Sequence, residues 1–183
     1  MEHRTIDELL AGLNDVRAAS ADAGTVELIV RRPGLGVREV LDEGELDPSV
    51  GLLGDTWNVR PSKRTPDGAP HPDMQLNLIG ARFSRLISSD VDHRALAGDQ
   101  LHLDLDLSTA NLPAGTRLVL GTAVIEITAE PHRGCAKFAE RFGRAAMQLV
   151  NSADGRAQNL RGVNAKVITP GVVRPGDRVS KTG

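Results

Sequence analysis

The sequence predicts a mostly β fold with a few helices, closed as a barrel. Three observations carry that expectation. Segments rich in β-branched or alternating apolar residues dominate from Thr25 onward, and amphipathic helical periodicity is confined to two stretches. The core must also be aliphatic, because the 183 residues include one Trp, three Phe and no Tyr. This length suits one domain over 1–183, with a barrel core at about 25–180.

Thr5-Ile-Asp-Glu8 has the spacing of a capping box, and Ile6, Leu9, Leu10, Leu13 and Val16 share one helical face, which predicts an N-terminal helix over about 5–19. Thr25 to Val30 reads as the first strand, stopped by Arg31-Arg32-Pro33-Gly34. Gly36 to Leu53 carries short apolar pieces divided by Gly44 and Pro48, as suits strands with turns. Arg60 to Pro72, rich in proline and charge and poor in apolar residues, is expected to be a long exposed loop. Alternation returns at Met74, Leu76 and Leu78. It is clearest at Leu101, Leu103, Leu105 and Leu107, where His102, Asp104 and Asp106 predict a wet outer face. Arg117 to Thr128, interrupted at Gly121, is either two strands or one bent strand. From Cys135 to Leu149 the apolar period becomes helical, and Ala165 to Ile168 and Asp177 to Val179 read as two closing strands.

Charge and residue usage exclude several functions. With 22 basic and 24 acidic residues the net charge of −2 offers no general attraction to nucleic acid or anionic membranes. So few aromatic rings also leave little on which to stack bases. No apolar run approaches a membrane span, the polar start lacks the pattern of an export signal, and a single cysteine suits a reducing compartment, so the cytoplasm is expected. His3, His71, His93, His102 and His132 show no paired metal-ligand spacing. Neither a Gly-x-Ser-x-Gly elbow nor a phosphate loop ending in Gly-Lys-Ser/Thr is present.

Chemistry therefore centres on Cys135. It lies in Glu130-Pro-His-Arg-Gly-Cys-Ala-Lys137, between an expected strand and an expected helix. Helix amides and the neighbouring His132, Arg133 and Lys137 favour thiolate over thiol, making the sulfur a nucleophile or a soft-metal ligand. The same residue type also serves as a small buried hydrophobe, and spacing alone leaves both readings open.

With these residues placed, the chain resembles the MOSC family, named after the C-terminal domain of molybdenum-cofactor sulfurases, from about Thr25 to its end. The segments that carry the resemblance are Gly51-Leu-Leu-Gly-Asp-Thr-Trp57, Gly121-Thr-Ala-Val-Ile-Glu-Ile-Thr128 running into His132-Arg-Gly-Cys135, and Gly162-Val-Asn-Ala-Lys-Val-Ile168 followed by Gly171 and Pro175-Gly-Asp177. The resemblance implies a MOSC-type β-barrel with a helix after the signature cysteine, and a cysteine that binds molybdenum or sulfur. Where family members carry the molybdenum cofactor (molybdopterin), the cysteine thiolate ligates the metal and basic side chains hold the pterin phosphate. Cys135 is then the metal ligand. Arg82, in Asn77-Leu-Ile-Gly-Ala-Arg82, is the best candidate for a pterin or phosphate contact; Asn77, Asp55, His132 and Gln100 are further cofactor-binding candidates, and Arg60, Lys63 and Arg64 on the proline-rich loop are weaker ones chosen only for charge. Two positions depart from the family pattern: Thr56 stands where many members have a basic residue, and Gly98-Asp99-Gln100 replaces Gly-Glu-Asn.

The resemblance thus implies either a small molybdenum-dependent oxidoreductase or a carrier of cofactor or sulfur. As a reductase the chain would need a separate electron-transfer protein, because it shows no flavin, haem or iron-sulfur motif; as a carrier, a sulfur donor. The rival expectation is a non-enzymatic binding module whose cysteine is packing.

Overall fold

The structure is a computed structural model and describes residues 3–182. In chain order its elements are α1 (Ile6–Arg17), β1 (Ala23–Arg31), β2 (Glu39–Leu41), β3 (Gly44–Asp47), β4 (Gly51–Leu52), β5 (Leu76–Gly80), α2 (Ala81–Ile87), α3 (Val91–Ala95), β6 (Leu101–Asp104), β7 (Arg117–Leu120), β8 (Ala123–Ile127), α4 (Ala136–Asn151), α5 (Ala153–Ala157), β9 (Val163–Thr169), β10 (Gly171–Val173) and β11 (Arg178–Lys181). Single 3₁₀ turns at Trp57–Val59 and Pro72–Met74 bracket the proline-rich loop.

Seven strands close into the expected barrel in the order β1-β11-β7-β8-β9-β5-β6 and back to β1, while β2 extends β1 outside the ring. Closure removes free sheet edges and leaves an interior that the alternating residues must fill. They do so with aliphatic side chains: Val26, Ile29, Leu76, Leu78, Leu101, Leu103, Leu118, Leu120, Ile125 and Ala165 are all buried in one cluster. A separate sheet, β10-β3-β4, adds Leu46, Leu52 and Val173 to the same core.

One pairing in the ring is parallel, β5 with β6. Parallel neighbours require a crossover connection, and α2 and α3 supply it. The expected strand over Asn77–Arg82 therefore ends at Gly80, and Arg82 lies on a helix. A second apolar cluster forms outside the barrel, where Leu9 and Leu13 of α1, Ile79 of β5, Phe83 and Ile87 of α2, and Phe138, Phe142 and Ala146 of α4 meet. The capping box at Thr5 forms as expected, with Thr5 Oγ1 accepting from Glu8 N and the Glu8 carboxylate accepting from Thr5 N.

Helix cover corrects the reading of His102. Its strand alternates, but α2 roofs the outer face, so His102 is fully buried and its Nδ1 lies 3.0 Å from Ser84 Oγ. The closing region also differs, since a third strand, β10, lies between the two expected ones. The Arg117–Thr128 run proves to be two strands joined in a hairpin. Helix α4 follows the cysteine as expected but is interrupted at Gly143, whose φ of 90° and ψ of 158° lie outside the helical region.

Candidate functional site

Cys135 occupies the N-cap position of α4 with extended backbone (φ −116°, ψ 178°), and its side chain makes no cap hydrogen bond. The preceding loop is held from the far end of the same helix. Asn151 Oδ1 accepts from Gly134 N at 3.1 Å, and Asn151 Nδ2 donates to Gly134 O at 2.9 Å. This pair fixes the peptide next to the cysteine. Cys135 itself is exposed, which rules out the packing role. It is therefore expected to alkylate with iodoacetamide in the folded protein; labelling that waits for denaturant would contradict that exposure.

The sulfur-bearing residue stands at a cavity of about 720 Å³ that draws on distant parts of the chain. The end of β1 and the loop after it supply Arg32, Leu35, Gly36 and Arg38; β5 supplies Asn77; α4 supplies Lys137, Phe138 and Arg141; Arg60, Ala97, Gly98, His132 and Arg161 complete the wall. No Asp or Glu lines it among the described residues.

Two carboxylates stand behind the wall and hold two of these arginines. Asp55 accepts from Arg32 Nε and Nη2, both at 2.9 Å, and from Arg32 N at 3.0 Å. The same guanidinium donates from Nη1 to Asn77 Oδ1 and Gly98 O, each at 3.0 Å. Asp99, fully buried, accepts from Arg161 Nη1 at 2.9 and 2.7 Å, while Arg161 lies 4.9 Å over the Phe138 ring. Burial pushes the Asp99 carboxyl up, and Arg161 opposes that shift. The other cations, Arg38, Arg60, Lys137 and Arg141, have no carboxylate partner among the described residues. Burial lowers the Arg38 and Arg60 pKa values, and neighbouring arginines add to the effect. The buried Nε atoms of Arg38 and Arg161 have no hydrogen-bond partner. Arg94 Nε and His102 Nε2, outside the cavity, are unpartnered as well.

His132 belongs to the same wall, with Nδ1 3.4 Å from Asp99 Oδ1. Burial, with Arg161 and Arg32 nearby, holds it well below the usual histidine range. It is a neutral hydrogen-bonding group at pH 7 and not one of the cations expected beside the cysteine. Gly162 permits this approach: at φ +109°, a Cβ there would lie 1.9 Å from Leu78 O and 3.3 Å from His132 Nδ1.

Of the residues singled out from sequence, Cys135, Asn77, Arg60 and His132 meet at this cavity. Asp55 is behind it and positions Arg32 instead of contacting a ligand. Gln100 is buried and bridges strands, with Oε1 accepting from Asn77 N and Nε2 donating to Gln75 O, so the expected ligand contact is corrected. Arg82 is corrected too: its place on α2 commits the guanidinium to Asp104 at 2.7 Å and to Asp15, and it lines no part of the cavity. Lys63 and Arg64 border a neighbouring cavity that shares Arg32, Arg60 and Asn77. Sequence reading missed Arg32, Arg38, Arg141 and Arg161. The only local trace was Arg31-Arg32-Pro33-Gly34, read as a strand stop. Where Thr56 replaces a basic residue of the family pattern, Arg60 brings a cation instead, its Nη2 3.5 Å from Thr56 Oγ1.

Comparison with known proteins agrees with this architecture. The family model for the MOSC domain matches residues 95–180. Among solved structures, the YuaD protein from Bacillus subtilis superposes with a TM-score of 0.61 at 17% identity, covering 86% of this chain and 94% of that one. YiiM from Escherichia coli gives 0.55 at 20% identity over 87% of this chain and 70% of its own. YiiM from Geobacillus stearothermophilus gives 0.50 at 13% identity over 87% and 73%. At these identities the likeness is one of fold. No curated protein matches the chain.

Proposed function

We propose that this chain, whose residues 95–180 match the MOSC domain model, binds molybdenum cofactor in the arginine-lined cavity, with Cys135 as the protein ligand to the metal. One observation carries this reading: the cavity brings a thiol together with Arg38, Arg60, Lys137 and Arg141, cations without carboxylate partners. A soft thiolate suits molybdenum, and guanidinium forks suit a phosphate.

When bound, the cofactor supplies two-electron redox chemistry at the metal. The chain's part is to bind and orient. Arg38 and Arg141 would neutralise the phosphate, Lys137 would add charge next to Cys135, and His132 would contribute a neutral hydrogen-bonding group. Asp55 and Asp99 hold Arg32 and Arg161 in place from behind. We assign the supply of electrons to a separate protein partner.

The exposure of Cys135 favours a second role, as a carrier whose sulfur is reachable by another protein and holds a persulfide. Metal and pterin analysis of protein from a cofactor-competent host separates the two. The expected result is stoichiometric molybdenum, falling by at least about tenfold in Cys135→Ser, as for loss of a direct ligand. Persulfide sulfur without metal would replace the reductase reading with the carrier. Absence of both would overturn both.

A further inference from the structure

The loop of residues 60–72 encloses a second cavity of about 270 Å³. Trp57, Met74 and Pro61 give it an apolar wall; Arg60, Lys63 and Arg64 give it charge. It adjoins the cysteine's cavity through Arg32, Arg60 and Asn77, which line both.

The wall is held in shape by its own hydrogen bonds. Trp57 N donates to Asp55 Oδ1 at 2.9 Å and the indole Nε1 donates to His71 O at 3.1 Å, so the ring is held at its backbone and at its edge. Within the loop, Ser62 N donates to Gly68 O at 3.1 Å, and Thr65 Oγ1 donates to Ala69 O at 2.6 Å with Ser62 O 3.1 Å away. The segment is a compact Ω-type loop. Its charges are unequally committed: Arg64 pairs with Glu130 at 2.7 Å, whereas Lys63 and Arg60 have no carboxylate partner among the described residues.

Trp57 is the only tryptophan in a chain without tyrosine, yet it belongs to none of the buried apolar clusters. Its large ring is therefore not spent on the core. An aromatic face, a thioether and uncommitted cations with no uncommitted acid form a surface for a flat ring that bears negative charge.

We propose that this cavity binds a planar aromatic anion, with the ring against Trp57 and Met74 and its carboxylate or sulfonate on Lys63 and Arg60. The shared wall places that ligand beside Cys135. In that position it is the substrate of the proposed chemistry, a step that rests on the preceding reading, whereas binding itself needs no metal.

The single tryptophan provides the readout, because its indole N–H gives one signal in a nitrogen-proton correlation spectrum of the cofactor-free chain. Titration with 2-naphthoate is expected to shift that signal saturably, with a Kd of about 1 mM or tighter. Naphthalene-2-carboxamide and cyclohexanecarboxylate, which lack the charge and the flat ring respectively, are expected to bind at least about tenfold more weakly. Lys63→Gln should bring the naphthoate affinity toward that of the amide. Trp57→Leu, followed by equilibrium dialysis, should lose binding while its backbone spectrum stays dispersed. Cys135→Ser should bind naphthoate like the unaltered chain even where it has lost molybdenum, so the two proposals fail separately. No saturable shift, or equal affinity for all three probes, would overturn this one.

Discussion

Replacing Asp55 with alanine is expected to cost about 3–5 kcal/mol of folding stability, the range for removing one partner of a buried ion pair. The carboxylate is fully buried and Arg32 nearly so, with side-chain exposures of 0% and 5%. Asp55 takes three hydrogen bonds from Arg32 and one from Trp57 N. Without it the guanidinium keeps its bonds to Asn77 and Gly98 but loses its counter-charge, close to Arg60 and Arg38. With an m value of about 2 kcal/mol/M, the urea midpoint should fall by about 2 M. Glu43→Ala is the contrast. Its pair with Arg174 is more than half exposed, and such pairs contribute about 0–1 kcal/mol. A loss below about 1 kcal/mol in Asp55→Ala would mean that solvent reaches Arg32 and that the pair does not anchor the cavity.

Acid is expected to destabilise the protein well before its carboxylates protonate. Burial between the barrel and α2, with Arg94 and Arg161 nearby, pushes the His102 pKa down to about 3. The folded state therefore keeps this imidazole neutral while the unfolded chain takes up a proton below about 6.5. Stability from His102 is complete above that value and is lost as pH falls from about 6.5 toward 3. The slope is at most about 1.4 kcal/mol per pH unit, or about 2 kcal/mol between pH 6.5 and 5. His132, depressed for similar reasons, adds to the loss with the same sign. Urea midpoints at pH 7 and pH 5 should fall less for His102→Gln than for the unaltered chain. Parallel pH profiles would show that His102 titrates normally and that α2 does not seal it.

Residue types revealed the strands more readily than what covers them. Alternation along Leu101–Leu107 correctly identified a β strand, and the leucines do face the barrel interior. Period two assigns residues to faces, however, and does not say whether a face meets water or a helix. His102 was misread for that reason, since α2 and α3 were not recognised. Ala81–Ile87 follows a strand without a break, and its N-cap Gly80 makes no side-chain hydrogen bond that would announce a helix. The parallel pairing of β5 with β6 explains why helices must lie there, but it becomes visible only in the folded chain.

The site divides along the same line. Cys135 was legible because its neighbours in sequence carry the family resemblance. Most of the arginines were not, because Arg32, Arg141 and Arg161 come from separate parts of the chain and meet only after the sheet has closed. Arg82 was misplaced because sequence adjacency to Asn77 suggested a shared strand, while the turn into α2 sends the guanidinium to Asp104.

The closed ring also orders how the chain can fold as it is made. The last strand of the barrel in chain order, β11, is the one that joins β1 to β7. Until it has been synthesised, those two strands keep unpaired edges, and an incomplete sheet invites pairing with other chains. Residues 178–181 thus act as a stave that must arrive last. Nascent chains halted before them should be markedly more prone to aggregate than complete ones.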